Sequence, residues 1–402
     1  MRSPARVPAD PQYRPTLVRH TVSWLCWGVF AGGVTQQIGF VVRKIGGAPS
    51  LVSLTTTGPL FILIFAVLYV PWMERFPSRP MVAATRMAAA GAFLAAAFLA
   101  TPWQLAAAAI LGLSVFRIGD TFYGRFLGLL YPPSALGRMQ SFPMFACAAA
   151  TTIVSVLAGW VLRGGEGAYR WVLPAAGAVG ALGASLLFAV PMRRREDPRP
   201  PGRVRDAVRD VAADPGFVAW TLVYSVAGIG YWIAMCSLPV YFASVIGMDY
   251  LSNGVAQACF MTAYGLSFFP WGRLLDRIRS LPVMTAGWML VVAGIVTSAA
   301  WGSFGWVLAG QVLFGIGLSG NDIAWFPIIL EQARGDKVDR YMGFTMSFCG
   351  LRAVIGGLGS GLIMELLPGA SSRVSLFAAA LFICGGIGGM LAIRGRRKAR
   401  GA

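Results

Sequence analysis

Of the sixteen acidic residues in the 402-residue chain, only Asp120 and Asp322 lie deep within long apolar stretches. Four of the basic residues share such stretches: Arg86, Arg117, Arg125 and Arg352. An ionised side chain at the centre of a bilayer-spanning helix costs about 2.5–3.5 kcal/mol or more. Charges kept at such depth point to specific chemistry: a carboxylate that takes and releases a proton, or guanidinium groups that hold an anion. Arg117 precedes Asp120 by three residues, so the two share a helix face, and Arg125 falls within the same broad arc. Asp120 lies about 16 Å along the helix axis from Tyr131, and Asp322 is at a similar depth before Gln332. Arg352 matches the depth of Asp322 on the neighbouring stretch, which predicts an Asp322–Arg352 pair by depth alone. Both acids can equally be read as static salt bridges that fix helix packing. Gln36, Gln37, Tyr231, Trp232, Gln257, Tyr264, Asn321 and Trp325 are further candidates to line a polar interior. Arg86, close to one end of its stretch, is expected to snorkel to the interface.

Other chemistry is excluded by what the chain lacks. Its one histidine, His20, sits at the edge of the N-terminal tail and is read as an interfacial side chain. A histidine-based triad and a histidine-ligated zinc therefore have no residue to use. The six cysteines fall in apolar stretches without a C-x-x-C pair, so neither a disulfide framework nor a metal site is expected. No phosphate-binding G-x-x-x-x-G-K-[ST] motif appears, which argues against nucleotide-driven pumping, and no cofactor is expected.

The elements that must position the deep charges follow from composition. Hydrophobic residues make up 56% of the chain and charged residues 12%, half the share usual in soluble domains, and mean hydropathy is +0.65. Twelve stretches are long enough to cross a bilayer: 21–42, 50–73, 81–100, 103–130, 139–162, 171–192, 217–242, 251–272, 282–301, 304–331, 342–367 and 372–393. The first is too long for the core of a cleaved signal peptide and is read as a retained span. Residues 193–216 are charged and Pro-rich, a linker with a short amphipathic helix near Val204 to Val211. The expected organisation is a tail (1–20), a six-helix bundle (21–192), the linker (193–216), a second bundle (217–393) and a C-terminal tail (394–402). The net charge of +18 raises nucleic acid as a partner, yet 25 of the 34 basic residues lie in the tails, the linker and the even-numbered connections. By the positive-inside rule this places both termini in the cytoplasm, in the plasma or inner membrane, and removes the case for nucleic acid.

A shift of 202 residues aligns Asp120 with Asp322, Arg138 with Arg340, Gly28 with Gly230 and Glu74-Arg75 with Asp276-Arg277. Agreement at one offset reads as two parallel six-span repeats. The loop Gly272-Arg273-Leu274-Leu275-Asp276-Arg277-Ile278-Arg279-Ser280 resembles the G-x-L-x-D-R-x-G-R loop of the major facilitator superfamily, with Arg279 and Ser280 in place of the last Gly and Arg. Glu74, Arg75 and Arg79 keep part of the first-half copy. Pro132-Pro133 through Arg138 is similar to that family's P-P-x-x-R-G-R loop. The Gly-Pro pair of its antiporter signature is absent from 147–162. The resemblance implies an all-α fold of two pseudo-symmetric six-helix bundles and secondary transport by alternating access, with the subfamily open; the deep acids make the leading reading proton-linked transport of a small organic solute, and a monomer is expected. The resemblance also implies gating roles for Glu74, Arg75, Arg138, Gly272, Asp276, Arg277 and Arg340. The charges of Arg117, Arg125, Arg352, Asp120 and Asp322 sum to +1, which favours an anionic or zwitterionic solute. The alternatives are a uniporter and a non-transporting sensor or scaffold on the same fold. A membrane enzyme would need a nucleophile–base set that the spans do not offer.

Overall fold

Proline and small polar residues set where the helices begin. Pro49, Pro102 and Pro215 each stand in the first turn of a helix, where a missing N–H costs nothing. Thr101 and Gln104 cap span 4 reciprocally: the Gln104 backbone N–H donates to Thr101 Oγ1 (3.3 Å), and the Thr101 N–H donates to Gln104 Oε1 (3.1 Å). Asp214 caps span 7 by accepting from the Phe217 N–H at 3.0 Å.

The computed structural model describes residues 13–131, 136–165, 167–192, 203–275, 277–332, 338–367 and 371–401. Helices account for the spans in order: Arg14–Lys44, Pro49–Met73, Ser78–Phe98, Pro102–Leu130, Leu136–Leu162, Tyr169–Phe188, Pro215–Ser244, Tyr250–Leu275, Ser280–Ala300, Phe304–Gln332, Val338–Leu366 and Ser371–Gly401. A linker helix, Val204–Ala212, turns Ala207 and Val211 inward. No strand occurs among the described residues. Eleven of the twelve helices are apolar enough to span on composition alone. The exception is span 8, Tyr250–Leu275, which carries Asn253, Gln257, Thr262 and Tyr264 and packs between spans 5 and 10.

Each half repeats one pairing scheme. Span 1 packs on spans 5 and 6, and span 3 on spans 4 and 6; span 7 packs on 11 and 12, and span 9 on 10 and 12. The halves meet through spans 2 and 11 and, symmetrically, through spans 5 and 8. Small residues let backbones approach closely within a half as well: a Cβ on Gly287 of span 9 would stand 2.7 Å from the Gly317 carbonyl of span 10. This is an all-α polytopic membrane protein of twelve spans in two pseudo-symmetric bundles.

Two spans depart from regular α-helix. In span 1, Ala31–Thr35 forms a π turn, with the Gln36 N–H bonded to the Ala31 carbonyl at 2.9 Å. Such a bulge displaces the side chains that follow it, here Gln36 and Gln37. In span 2, Thr55, Thr56 and Thr57 bond back to the carbonyls of Leu51, Val52 and Ser53, and Gly58-Pro59 follows. The hydroxyls compete for helix carbonyls and Pro59 has no N–H to give, so Gly58–Tyr69 winds as a tighter 3-10 helix. Below, the end of the bundle that carries the linker helix is the linker end, and the opposite one the far end.

Candidate functional site

In the first half, Arg117 Nη1 donates to Asp120 Oδ2 at 2.9 Å, the same-face pair that their spacing predicts. Arg125 turns to the linker end, where Nη1 donates to the Met73 carbonyl. Arg86 does not snorkel. It is 2% exposed, and its guanidinium lies 4.7 Å from the Trp24 ring, 5.1 Å from Tyr123, 5.3 Å from Trp27 and 5.9 Å from Phe116. Its Nη1 is buried and makes no hydrogen bond. Aromatic faces from spans 1 and 4 replace the water that a snorkelling side chain would seek, and the planar guanidinium suits them. His20 is not interfacial either. It is fully buried, with Nδ1 2.8 Å from Tyr131 Oη and Nε2 accepting from the Trp24 indole N–H at 3.0 Å. An indole N–H can only donate, so we assign the ring proton to Nδ1, towards Tyr131.

The Arg86 cage yields a first prediction. Arg86→Lys lowers the melting temperature in detergent, because a compact ammonium stacks less well and holds its water more tightly. Arg86→Met, apolar and of similar reach, does not lower it. Equal losses in both variants would show that stem packing, not the cation, matters.

In the second half, Asp322 is held by neutral donors. Tyr264 Oη donates to Oδ2 at 2.9 Å and Asn321 Nδ2 to Oδ1 at 3.1 Å. The expected Asp322–Arg352 pair does not form. The Arg352 side chain, from span 11, lies instead against span 7, where Gly228 leaves room for its stem: a Cβ there would meet Arg352 Cδ at 2.2 Å. The guanidinium stacks 4.2 Å from the Tyr224 ring, and Nη1 makes a long 3.5 Å contact with the Tyr224 carbonyl. Equal depth is met, but the two side chains sit on different helix faces. Tyr231 follows Tyr224 and Gly228 on the same face of span 7. Trp325 follows Asp322 by three residues, and its buried Nε1 is unbonded, as is Asn321 Oδ1.

The amides of span 1 join the halves. Gln36 Nε2 approaches Met261 Sδ at 3.6 Å. Gln37 Nε2 donates to the Ser155 carbonyl (3.1 Å), and its Oε1 accepts from Asn253 Nδ2 (3.0 Å). Gln37 is therefore a latch between bundles at the far end, where further bonds cross. Arg163 Nε meets Asp249 Oδ2 at 3.3 Å, and Arg43 donates to Ser244 Oγ at 3.0 and 3.2 Å. None of Arg43, Arg163, Asp249, Asn253 and Ser244 is among the sequence candidates; the scarcity of basic residues in the odd-numbered connections is a signal for Arg43 and Arg163, and the other three give none.

Of the linker-end gating residues, Asp276 and the side chains of Glu74 and Arg138 lie outside the described residues. Arg75 and Arg277 are exposed, and Gly272 faces Ile323 of span 10. Arg340 bonds Asp210 of the linker helix. A groove of ≈ 310 Å³ between spans 2 and 11, lined by Ser50, Ser53, Thr57, Gly361 and Glu365, contains none of the deep charges. The site is therefore located by chemistry and not by hollow volume.

Asp249 gives the far-end latch a pH dependence. Ser252, through its side chain and its backbone N–H (2.8 Å to Oδ1), and then Arg163 hold its carboxyl below the usual carboxylate range. A depressed value means the charged latch is present at neutral pH and is lost only as pH falls through that value. Spin labels at Val161 and Val245 should report a fixed separation at neutral pH and a wider one only in acid below the ordinary carboxylate range, once pH falls through the depressed value. Asp249→Asn should give the wider distribution at every pH.

The arrangement is two halves of like construction, with charges facing one another across the seam. A sequence model of the Major Facilitator Superfamily matches residues 20–257 and 220–400. The chain belongs to the major facilitator superfamily. No curated protein matches this member by sequence. Among solved structures it is similar to the human organic anion transporter MFSD10, with a TM-score of 0.73 and 12% identity over 95% of this chain and 100% of that one. The nucleoside transporter NupG matches with a TM-score of 0.70 and 12% identity over 94% and 99%. A D-xylose–proton symporter matches with a TM-score of 0.69 and 12% identity over 94% and 97%. At such identity these likenesses establish the fold, and the family makes this a membrane protein of the transporter type.

Proposed function

We propose that the chain is a secondary transporter of a small organic solute, linked to protons through Asp322, with both termini and the linker in the cytoplasm. The observation that carries this reading is the contrast between the two deep acids. Asp120 has a cation at 2.9 Å, whereas Asp322 has only a phenol and an amide. A carboxylate whose hydrogen-bond partners are all neutral has no ion pair to hold it charged, and the exposure of Asp322 leaves it open to take up a proton. Binding one weakens the bonds from Tyr264 on span 8 and Asn321 on span 10, and so acts directly on the packing of those spans. In this orientation the far end is extracellular, and Gln37–Asn253, Arg163–Asp249 and Arg43–Ser244 must part before the site opens outward. Biasing such a two-state equilibrium is what coupling requires. The solved structure of a proton symporter with the same fold supports the plausibility of that coupling.

The test uses vesicles loaded with a pH-sensitive dye. Wild-type protein should acidify the lumen when a transported solute, found by thermal-shift screening of metabolites, is added outside. Solute uptake without proton movement would make the chain a uniporter, and binding without uptake would favour a sensor.

A further inference from the structure

The two seams between the halves are not alike. At the far end, spans 5 and 8 meet backbone to backbone: a Cβ on Gly159 would stand 2.5 Å from the Tyr250 carbonyl, and one on Gly254 2.4 Å from that of Ser155. Spans 2 and 11 touch as closely only deeper in. There a Cβ on Gly350 would stand 2.4 Å from the Ile64 backbone nitrogen, and one on Gly357 2.1 Å from Thr57 Oγ1. One turn further out the two helices part. A Cβ on Gly361 would meet nothing nearer than Ser50 Cα at 3.4 Å and Ser53 Oγ at 3.6 Å, which is ordinary contact. The groove of ≈ 310 Å³ lies in that flare. Its lining changes along the membrane normal. Glu365, the penultimate residue of span 11, is exposed at the mouth, opposite Ser50 in the first turn of span 2. Ser53, a turn deeper, is 2% exposed, and its hydroxyl has no hydrogen-bond partner. A buried hydroxyl left without an acceptor is costly, and an oxygen placed in the groove would satisfy it. The outer wall is apolar: Leu358 and Leu362 are exposed towards the bilayer. No basic residue lines the groove.

We propose that this groove holds a membrane lipid with a primary ammonium headgroup, of the phosphatidylethanolamine class, in the far-end leaflet. The ammonium donates to the Glu365 carboxylate. Phosphate and ester oxygens accept from the hydroxyls of Ser50 and Ser53, and an acyl chain runs along Leu362 and Leu358 towards the midplane. A lipid fits better than a soluble amine because the apolar wall opens on hydrocarbon. A headgroup of net negative charge would meet an acid and no base. A trimethylammonium headgroup has no N–H to give the carboxylate. Ser50 and Ser53 belong to the first half, Glu365 and the two leucines to the second. The lipid therefore bridges the halves where backbone contact is missing, and its binding favours the closed far end. This site needs only the membrane fold, and not the transport reading.

The experiment titrates the full-length protein in detergent with dioleoyl phosphatidylethanolamine, phosphatidylcholine and phosphatidylglycerol, which share their chains. It reads the melting temperature and counts retained lipids by native mass spectrometry. The ethanolamine lipid should be retained and should raise the melting temperature more than the other two. Glu365→Gln should weaken its apparent Kd by about 3- to 10-fold, a charge-assisted bond discounted for exposure. Ser53→Ala should weaken it by about 2- to 10-fold. Gly361→Leu, whose Cβ is accommodated, fills the groove and should abolish the preference. Asp206→Asn, an exposed acid on the linker helix, should leave it unchanged. If Gly361→Leu does not fold, Glu365→Gln, at an exposed position, carries the test. In nanodiscs, labels at Val161 and Val245 should give a narrower distribution with the ethanolamine lipid than with the choline lipid; equal distributions would overturn the bridging role. The site itself is overturned if the choline or glycerol lipid stabilises equally, if no lipid is retained, or if the preference survives in both Glu365→Gln and Gly361→Leu. Phosphoethanolamine without chains should give no shift at the same concentration; an equal shift would overturn the lipid as the source.

Discussion

Asp322→Asn should lose proton-driven uptake while keeping the fold. Asparagine has the same shape and can still accept from the Tyr264 hydroxyl that now sits 2.9 Å from Oδ2. It cannot take up a proton. With a coupling free energy of about 1–3 kcal/mol, corresponding to about 5–150-fold, gradient-driven uptake in vesicles should fall at least about tenfold. Exchange of labelled for unlabelled solute across the membrane, which needs no net proton movement, should persist. Asp120→Asn should behave differently. It frees Arg117 from the carboxylate it pairs with among the described residues, so the change falls on solute affinity while the dependence on the gradient remains. If both variants keep full uptake and full pH dependence, the two acids are packing elements and the coupling reading fails. If Asp120→Asn alone loses the gradient dependence, the roles of the two acids are reversed.

What the sequence disclosed and what it hid divide along a physical line. Depth along a helix is readable, because a charge inside a run of apolar residues shows its distance from either end. Asp120, Asp322 and Arg352 were located in this way, and the 202-residue offset tied the acids to equivalent places in two halves. Direction around a helix is not readable when neighbours are unknown. Arg352 has the depth of Asp322, but Gly228 opens a channel along span 7, so the side chain lies against Tyr224 instead. Arg86 failed for the same reason. Its four aromatic partners come from spans 1 and 4, and nothing local to residue 86 announces them. His20 looked interfacial because it follows a basic tail, yet Tyr131, at the end of span 4, reaches across to bury it. The loop motifs pointed gating to the linker end. The bonds that cross the halves at the far end depend on single residues in unrelated stretches, Arg163 with Asp249 and Gln37 with Asn253, and no motif joins them.

The far-end seam carries the second large prediction. Gly254 of span 8 packs against span 5 so closely that a Cβ would stand 2.4 Å from the Ser155 carbonyl, and one on Gly159 would stand 2.5 Å from the Tyr250 carbonyl. Both obstacles are backbone, so neither can swing aside; a side chain at either place must push the helices apart. Gly254→Val therefore penalises the state with the far end closed and leaves the far-open state nearly untouched. An overpacking cost of about 1–3 kcal/mol, applied to one state only, shifts the balance between them by about 5–150-fold. Labels at Val161 and Val245 should then show the wide separation at neutral pH, without any change to Asp249. Uptake should fall steeply, because a carrier that cannot reseal one side cannot complete its cycle. Gly388→Val on span 12, where nothing lies within 4 Å of the added Cβ, is the control and should change neither measurement. A narrow label distribution in Gly254→Val would mean that spans 5 and 8 absorb the extra volume together, and the far-end latch would then rest on the polar bonds of Gln37, Arg163 and Arg43 alone.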